Sequence, residues 1–425
     1  MGFTTSLVLT LLACLTVLVS EHLHERSSKT GQVADGHWAS WWRRPLDGVV
    51  IFLVTLTITY LFNSHKFVPF NSYSYLAQSL LDGRLDIPNL PTFYEHIKVN
   101  GKIYLQVPPG AVIFVLPFVA LLGTGFNIGP LSLLLGAANT ALFHELLKRF
   151  GFTDHRPRLW LTALFGFGTV HFYLSAVGYS WFLAQLGGTF FLFLAMLLTM
   201  GGQKIPARNR FLAGLFFGLA VTCRLSLLLT GIFFATLILR AGGPRWRPIL
   251  VFLAGAFIPG ALYMFYNFSR FGSVLDLGYL LFYRLDSSVG GPTDPRYIPF
   301  NLYSLFIMAP EWTGRFPYIE PLAMQGVSLT FTTPALYYAV KAKGPRWLIA
   351  LLWSTVFLAA LPFLMNCGNG YPQFGMRYAL DFIPFLLILT AYAIKEMTFM
   401  NKAVIMFCIF VNAWGVLHWN FFRWN

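Results

Sequence analysis

The chain has 425 residues, of which 56% are hydrophobic and only 11% charged, with a formal net charge of +14 and a mean hydropathy of +0.63. A soluble chain carries about a quarter charged residues, so a water-soluble core for this much apolar surface is excluded and a bilayer must act as solvent. The basic excess does not indicate nucleic-acid binding, because the Lys and Arg residues stand in short clusters between apolar runs, the pattern of topology signals.

Residues Phe3–Ser20 resemble a signal peptide in length but lack a basic start and a small-residue cleavage site, so they read as a retained first span. Further apolar runs follow at 48–63, 110–123, 127–147, 159–177, 179–200, 211–223, 225–239, 249–267, 323–340, 347–366, 378–394 and 403–421. Six short connections hold nineteen of the 30 Lys and Arg, among them Arg43, Arg44, Lys148, Arg149, Lys204, Arg208, Arg240, Lys341 and Lys402. The positive-inside rule places these loops in the cytoplasm. Lys148 and Arg149 fall on that side only if one preceding run does not cross. The run at 110–123 is short for a span, so it is expected to lie along the outer surface. Twelve crossings then remain in a single domain over 1–425, with outer loops at about 64–126, 268–322 and 367–377. No internal repeat is evident, which weakens a transporter reading.

Cys14, Cys223, Cys367 and Cys408 have no metal-ligand spacing, and neither a metal nor a disulfide framework is expected. The polar chemistry collects in the outer loops. The first has helical spacing over 73–82, broken by Gly83, Pro88 and Pro91. KVNGKIYLQV (98–107) then reads as a hairpin with Asn100-Gly101 as a type I′ turn. This loop carries Asp82, Asp86, Glu95, His96, Arg84, Lys98 and Lys102, and solvated charge with local ion pairs is the simplest account of most of them. The second outer loop is rich in aromatic residues and proline, and most of its Trp and Tyr fit an interfacial belt. Arg224 sits between two apolar half-hairpins, where a guanidinium needs an anion such as a lipid phosphate, unless it snorkels. Arg377 and Asp381 are four apart, as in a helical salt bridge, or as a second phosphate ligand held by a carboxylate.

The ordered segments YLAQSLLDGRLDI (75–87), NGKIYLQVPPG (100–110), AGLFFGLAVTCR (213–224), YNFSRFGSVLDLGY (266–279), QGVSLTFTTPALYY (325–338) and FGMRYALDFIPFLLIL (374–389) resemble membrane glycosyltransferases of the GT-C superfamily. The likeness is to the bacterial branch related to dolichyl-phosphate-mannose-protein mannosyltransferases, which includes the aminoarabinose and rhizobial lipopolysaccharide glycosyltransferases. The resemblance implies an all-α polytopic bundle of about 12 transmembrane helices with juxtamembrane helices in a large first outer loop. It also implies an outward active face in a bacterial inner membrane, a polyprenyl-phosphate-linked sugar donor, and a lipid, glycan or protein acceptor. The family's acid just after the membrane exit is absent, since Asn71 stands there. An acid six residues before the Gly of the turn is usual in this branch, and Glu95 occupies that place. Glu95 is therefore the catalytic candidate, with Asp86 second. Arg224, Lys102 and Arg377 are candidates to hold the departing phosphate, and Tyr104, Tyr279, Asn71 and His96 complete the substrate-binding set. The expected reaction inverts the anomeric carbon with a carboxylate base and no cofactor. The alternatives are a transporter or flippase of an anionic lipid or solute, a ligase or polymerase using a diphosphate-linked donor, and a non-catalytic binding relative.

Overall fold

A computed structural model describes residues 39–200, 204–241, 246–275, 278–284, 291–314, 318–321, 324–394 and 396–422. The expected first span, residues 3–20, lies outside them. The regular structure of the described residues is largely helical: α1 (Ala39–Phe62) and α2 (Ser72–Leu81) precede a small hairpin, β1 (Ile97–Val99) and β2 (Lys102–Tyr104). There follow α3 (Val112–Leu122), α4 (Gly129–Arg149), α5 (His155–Phe167), α6 (Val170–Val177), α7 (Ser180–Thr199), α8 (Ala207–Cys223), α9 (Gly231–Arg240) and α10 (Arg247–Phe271). The last part holds α11 (Gly278–Arg284), α12 (Ile298–Phe306), a second hairpin of β3 (Pro310–Trp312) and β4 (Ile319–Pro321), α13 (Leu329–Thr332), α14 (Arg346–Leu364), α15 (Ile383–Ala393) and α16 (Phe399–Leu417).

By length and composition, four helices among the described residues can cross a membrane: Ser180–Thr199, Arg247–Phe271, Arg346–Leu364 and Phe399–Phe422. A fifth is counted if α5 and α6, bent by 53° at their junction, form one span. Several runs read as spans are shorter or broken. Run 323–340 becomes the four-residue α13 and a 3-10 helix over Pro334–Lys341. Proline at 334 disfavours helical geometry at Thr333, which adopts φ −145° and ends α13. Eight 3-10 residues rise only about 16 Å, roughly half a hydrocarbon core. Run 378–394 likewise divides into a 3-10 turn over Arg377–Asp381 and the eleven-residue α15. Much of its apolar surface serves the protein interior, since Phe385, Leu387, Ile388 and Leu389 are fully buried.

Small residues and polar side chains hold the helices together, as expected where lipid removes the hydrophobic drive between them. A Cβ on Gly214 would lie 1.9 Å from the Phe252 carbonyl oxygen, and one on Gly255 would lie 2.0 Å from that of Phe211. The backbones of α8 and α10 are therefore in direct contact. Asparagine amides tie helix ends across the bundle: Asn63 Nδ2 donates to the Ala176 carbonyl at 2.6 Å, and Asn420 Nδ2 to Phe62 at 2.9 Å.

The first hairpin forms as expected, with Val99 opposite Lys102 and both Asn100 (φ 48°) and Gly101 (φ 75°) left-handed, the conformation a type I′ turn requires. The Pro108-Pro109-Gly110 turn then docks on the end of α8, where Gly110 N–H donates to the Thr222 carbonyl at 2.9 Å. The later loops are joined to one another: Thr293 bridges Asn366, and Val327 bridges Gly375. This lacing brings the first loop, the α8 terminus and residues 366–381 to one end of the bundle.

Candidate active site

Three chain segments converge there. The first-loop segment before β1 brings Glu95, the break between α8 and the following 3-10 turn brings Arg224, and the 3-10 turn over Arg377–Asp381 brings Arg377, Tyr378 and Asp381. Arg224 departs from helical geometry (φ −145°, ψ 103°), which turns its side chain out of the α8 ladder. It donates from Nη2 to Asp381 Oδ2 at 2.8 Å and from Nε to Oδ1 at 3.3 Å, while Ser226 Oγ donates to Oδ2 at 2.5 Å. Its guanidinium also lies 4.7 Å from the Tyr378 ring centroid.

This pairing corrects the expectation from sequence that Asp381 holds Arg377. The segment is a 3-10 turn, so residues four apart do not share a face as in an α-helix. Arg377 is buried, and among the described residues its side chain bonds only to neutral groups. Its Nε donates to the Gly370 carbonyl at 2.8 Å, Nη2 to the Tyr378 hydroxyl at 3.3 Å, and Nη1 to Gln185 Oε1 at 3.4 Å. Gln185 Nε2 returns a bond to the Arg377 carbonyl at 2.9 Å, so one glutamine on α7 grips the residue at both ends. The left-handed Gly370 (φ 106°) leaves room for this grip, since a Cβ there would meet Arg377 Nε at 3.2 Å.

Glu95 accepts from Gln106 Nε2 at 2.5 Å. Its side chain is exposed to solvent, beside the buried Gln106. Burial pushes its carboxyl above the usual glutamate range, against the opposing pull of Arg377 and the Gln106 hydrogen bond. Tyr279, on α11, stands in the combined field of Tyr378, Arg224, Arg377 and Glu95, and burial pushes its phenol up. Glu95, Arg224, Arg377 and Tyr279 thus form one electrostatically connected group.

The other candidates make contacts of their own. Asp86 is ion-paired with Arg84 at 2.7 Å, and that bond holds its carboxyl below the ordinary range, so it is a poor base. Lys102 is exposed at the hairpin tip, near Asp86. Asn71 is fully buried and structural in its contacts, with Nδ2 donating to the Phe126 carbonyl at 2.7 Å and Oδ1 accepting from Ser74. His96 Nδ1 is 2.8 Å from the Tyr94 carbonyl, which places a proton on that nitrogen. Tyr104 is buried edge-on to Phe271, with centroids 5.9 Å apart.

Sequence reasoning missed four contributors. Gln185 and Gln106 are glutamines without a charge pattern to mark them. Tyr378 sits between Arg377 and the apolar run, its ring 4.4 Å from the Arg377 guanidinium and 4.7 Å from that of Arg224. Arg270 is buried at the end of α10, where it donates to the Leu105 carbonyl at 3.0 Å beside Gln106 and lies 3.9 Å from the Tyr266 ring. The available signal for Arg270 was its place in YNFSRFGSVLDLGY (266–279), a segment that carries the family resemblance.

These helices and laced loops define an integral, multi-pass membrane protein of largely α-helical fold. In overall structure it is similar to ArnT from Cupriavidus metallidurans, a GT-C superfamily membrane glycosyltransferase solved bound to undecaprenyl phosphate, with a TM-score of 0.54 and 14% sequence identity. The match covers 83% of this chain and 60% of that one, so this chain spans about 60% of the length of its structural relative. The likeness is one of fold. No family model matches the chain, and no curated protein matches its sequence.

Proposed function

We propose that this protein is a membrane glycosyltransferase that moves a sugar from a polyprenyl-phosphate donor to a lipid, glycan or protein acceptor on the outer side of a bacterial inner membrane. In this reading 1–425 is a single domain of about twelve crossings. The observation that carries the proposal is the juxtaposition of Arg377 and Glu95. Arg377 is a buried cation whose described hydrogen-bond partners are all neutral, and Glu95 is a carboxylate of raised basicity within its field. A phosphate leaving group needs the first, and a hydroxyl nucleophile needs the second.

Glu95 takes the proton of the acceptor hydroxyl as its oxygen attacks C1 of the sugar. The C1–O bond to phosphate breaks with inversion, and the electron pair leaves on the phosphate oxygen. Arg377 stabilises that growing charge. Arg224 contributes less, because the Asp381 carboxylate it is paired with neutralises its charge, whereas the groups bonded to Arg377 are neutral. Tyr279 is assigned in this reading to hydrogen-bond the donor through its phenol, which is protonated at neutral pH. Asp86 and Lys102 take no part.

The test is purified protein in nanodiscs, incubated with polyprenyl-phosphate sugars and scored for released polyprenyl phosphate. Release by the native chain and none by Glu95→Gln is expected. Full release by Glu95→Gln would remove Glu95 as the base, and no release from any donor would overturn the reading.

A further inference from the structure

Helix α12 has its polarity reversed relative to a helix on a water-facing surface. Asn301 and Ser304 are fully buried, while Phe300 (47%), Tyr303 (42%), Phe306 (43%) and the following Ile307 (67%) are exposed. Positions 300, 303 and 307 follow one another at helical spacing, so this is a continuous outward stripe. The inner face is fixed by Asn301, whose Nδ2 donates to the carbonyls of Phe363 (3.1 Å), Leu364 (3.0 Å) and Asn366 (2.8 Å). Those carbonyls end α14, one of the helices long and apolar enough to cross a membrane. On α14 itself, Phe357 (67%) and Leu361 (39%) are exposed four residues apart, leading toward the same end.

From Ile298 to Met308 the chain carries no charge, whereas Arg296, paired with Asp294 at 3.0 Å, precedes it and Glu311 follows. Nine helical residues rise about 14 Å, less than half of what a crossing requires. An uncharged stretch of this length, apolar outward and tied to the terminus of a spanning helix, fits the plane of the membrane interface. The hairpin beyond it continues the surface with Trp312 (77% exposed) and Tyr318, whose rings stack at 6.3 Å. Aromatic rings of this kind favour the headgroup level.

We infer that α12 and the β3–β4 hairpin lie in the outer interface of the bilayer, with Phe300, Tyr303, Phe306 and Ile307 in contact with lipid acyl chains. The second outer loop is then a surface-lying anchor rather than a water-exposed flap, and it fixes the depth at which residues 366–381 meet the membrane. The partner is the lipid of the surrounding leaflet.

The test is site-specific photocrosslinking of the full chain in liposomes of phosphatidylethanolamine and phosphatidylglycerol. A benzophenone amino acid replaces Tyr303 or, separately, Ile307, with Arg296 as the water-side control, and adducts are identified by mass spectrometry. Phospholipid adducts from both 303 and 307 and few from 296 are expected. Adducts no more frequent at 303 and 307 than at 296 would overturn the inference. So would crosslinks from both positions to a second copy or to another segment of this chain in place of lipid. Because the readout is independent of sugar transfer, it stands or falls apart from the proposed activity.

Discussion

Asp381 receives both Nε and Nη2 of Arg224, 157 residues earlier in the chain, and among the described residues this bidentate pair leaves Arg377 hydrogen-bonded to neutral groups alone. The Asp381 side chain is only 4% exposed. Removing one partner of a buried pair strands the other charge, at a cost of about 3–5 kcal/mol, whereas replacing both with apolar groups costs far less. Asp381→Asn is therefore expected to lower the thermal unfolding midpoint in detergent sharply. The double variant Arg224→Leu/Asp381→Leu should recover part of that loss. A single-variant loss no greater than an exposed ion pair gives, about 1 kcal/mol or less, would show that the pair does not hold the site together.

Gln185 offers a way to cancel the charge of Arg377 without emptying space. Gln185→Glu keeps size and shape but presents a carboxylate where Oε1 now meets Arg377 Nη1 at 3.4 Å. An internal anion would compete with the donor phosphate for the same guanidinium. Affinity for polyprenyl phosphate, measured by titration in nanodiscs, is expected to fall at least about tenfold, equivalent to one charge-assisted hydrogen bond. Gln185→Leu should weaken binding less, because the positive charge remains. Unchanged affinity in Gln185→Glu would place the phosphate elsewhere.

The raised carboxyl of Glu95 gives a pH signature. A base must be ionised, so the rate should fall with decreasing pH through a midpoint above the ordinary glutamate value of 4.5. Gln106 pulls that midpoint down by hydrogen-bonding the charged form, so Gln106→Leu should move the acid limb upward. The stability effect has the opposite sense to a salt-bridged acid. With the folded value above the unfolded one, the native state binds more protons between them, and stability drops as pH rises through the folded value. Glu95→Gln removes this penalty, so at neutral pH it should abolish transfer while unfolding no earlier than the native chain. An acid limb unmoved by Gln106→Leu would separate Glu95 from the rate.

Different physical terms decided what could be read before the structure. The type I′ turn was legible because Asn100-Gly101 encodes its own backbone geometry within two residues. The membrane class was legible because lipid imposes composition on long stretches of chain. Which apolar runs stay unbroken was less legible, since apolarity does not distinguish a continuous helix from the broken run at 329–341 or the mostly buried segment Ile383–Ala393. Arg224 was visible as a charge between two apolar runs, and Glu95 through its place six residues before Gly101 in the family resemblance. Their partners were not, because the four-residue spacing of Arg377 and Asp381 implies contact only in an α-helix, and Arg224 meets Asp381 through a tertiary fold. Gln185 carries no charge and sits in an apolar run, so it had no signal at all.

Gly110 links the first loop to this arrangement and allows a direct test of that coupling. Its N–H bonds the Thr222 carbonyl, and a Cβ would stand 2.4 Å from the Thr222 carbonyl carbon and 2.6 Å from the Cys223 nitrogen. These are backbone atoms of the two residues just before Arg224 and cannot swing aside as a side chain can. Gly110→Ala must therefore push the Pro108-Pro109 turn away from the α8 terminus, carrying Gln106 and Glu95 with it. Overpacking of this kind costs about 1–3 kcal/mol, which a bundle of this size should survive as folded protein. A shift of about 1 Å in a reacting group can lower the rate on the order of a hundredfold. The expected result is a modest drop in the unfolding midpoint with a large loss of transfer, while polyprenyl-phosphate affinity, which the proposed function assigns to Arg377, stays near its native value. Equal losses of affinity and rate would instead mean that the Gly110 contact supports the whole outer face and not the placement of Glu95.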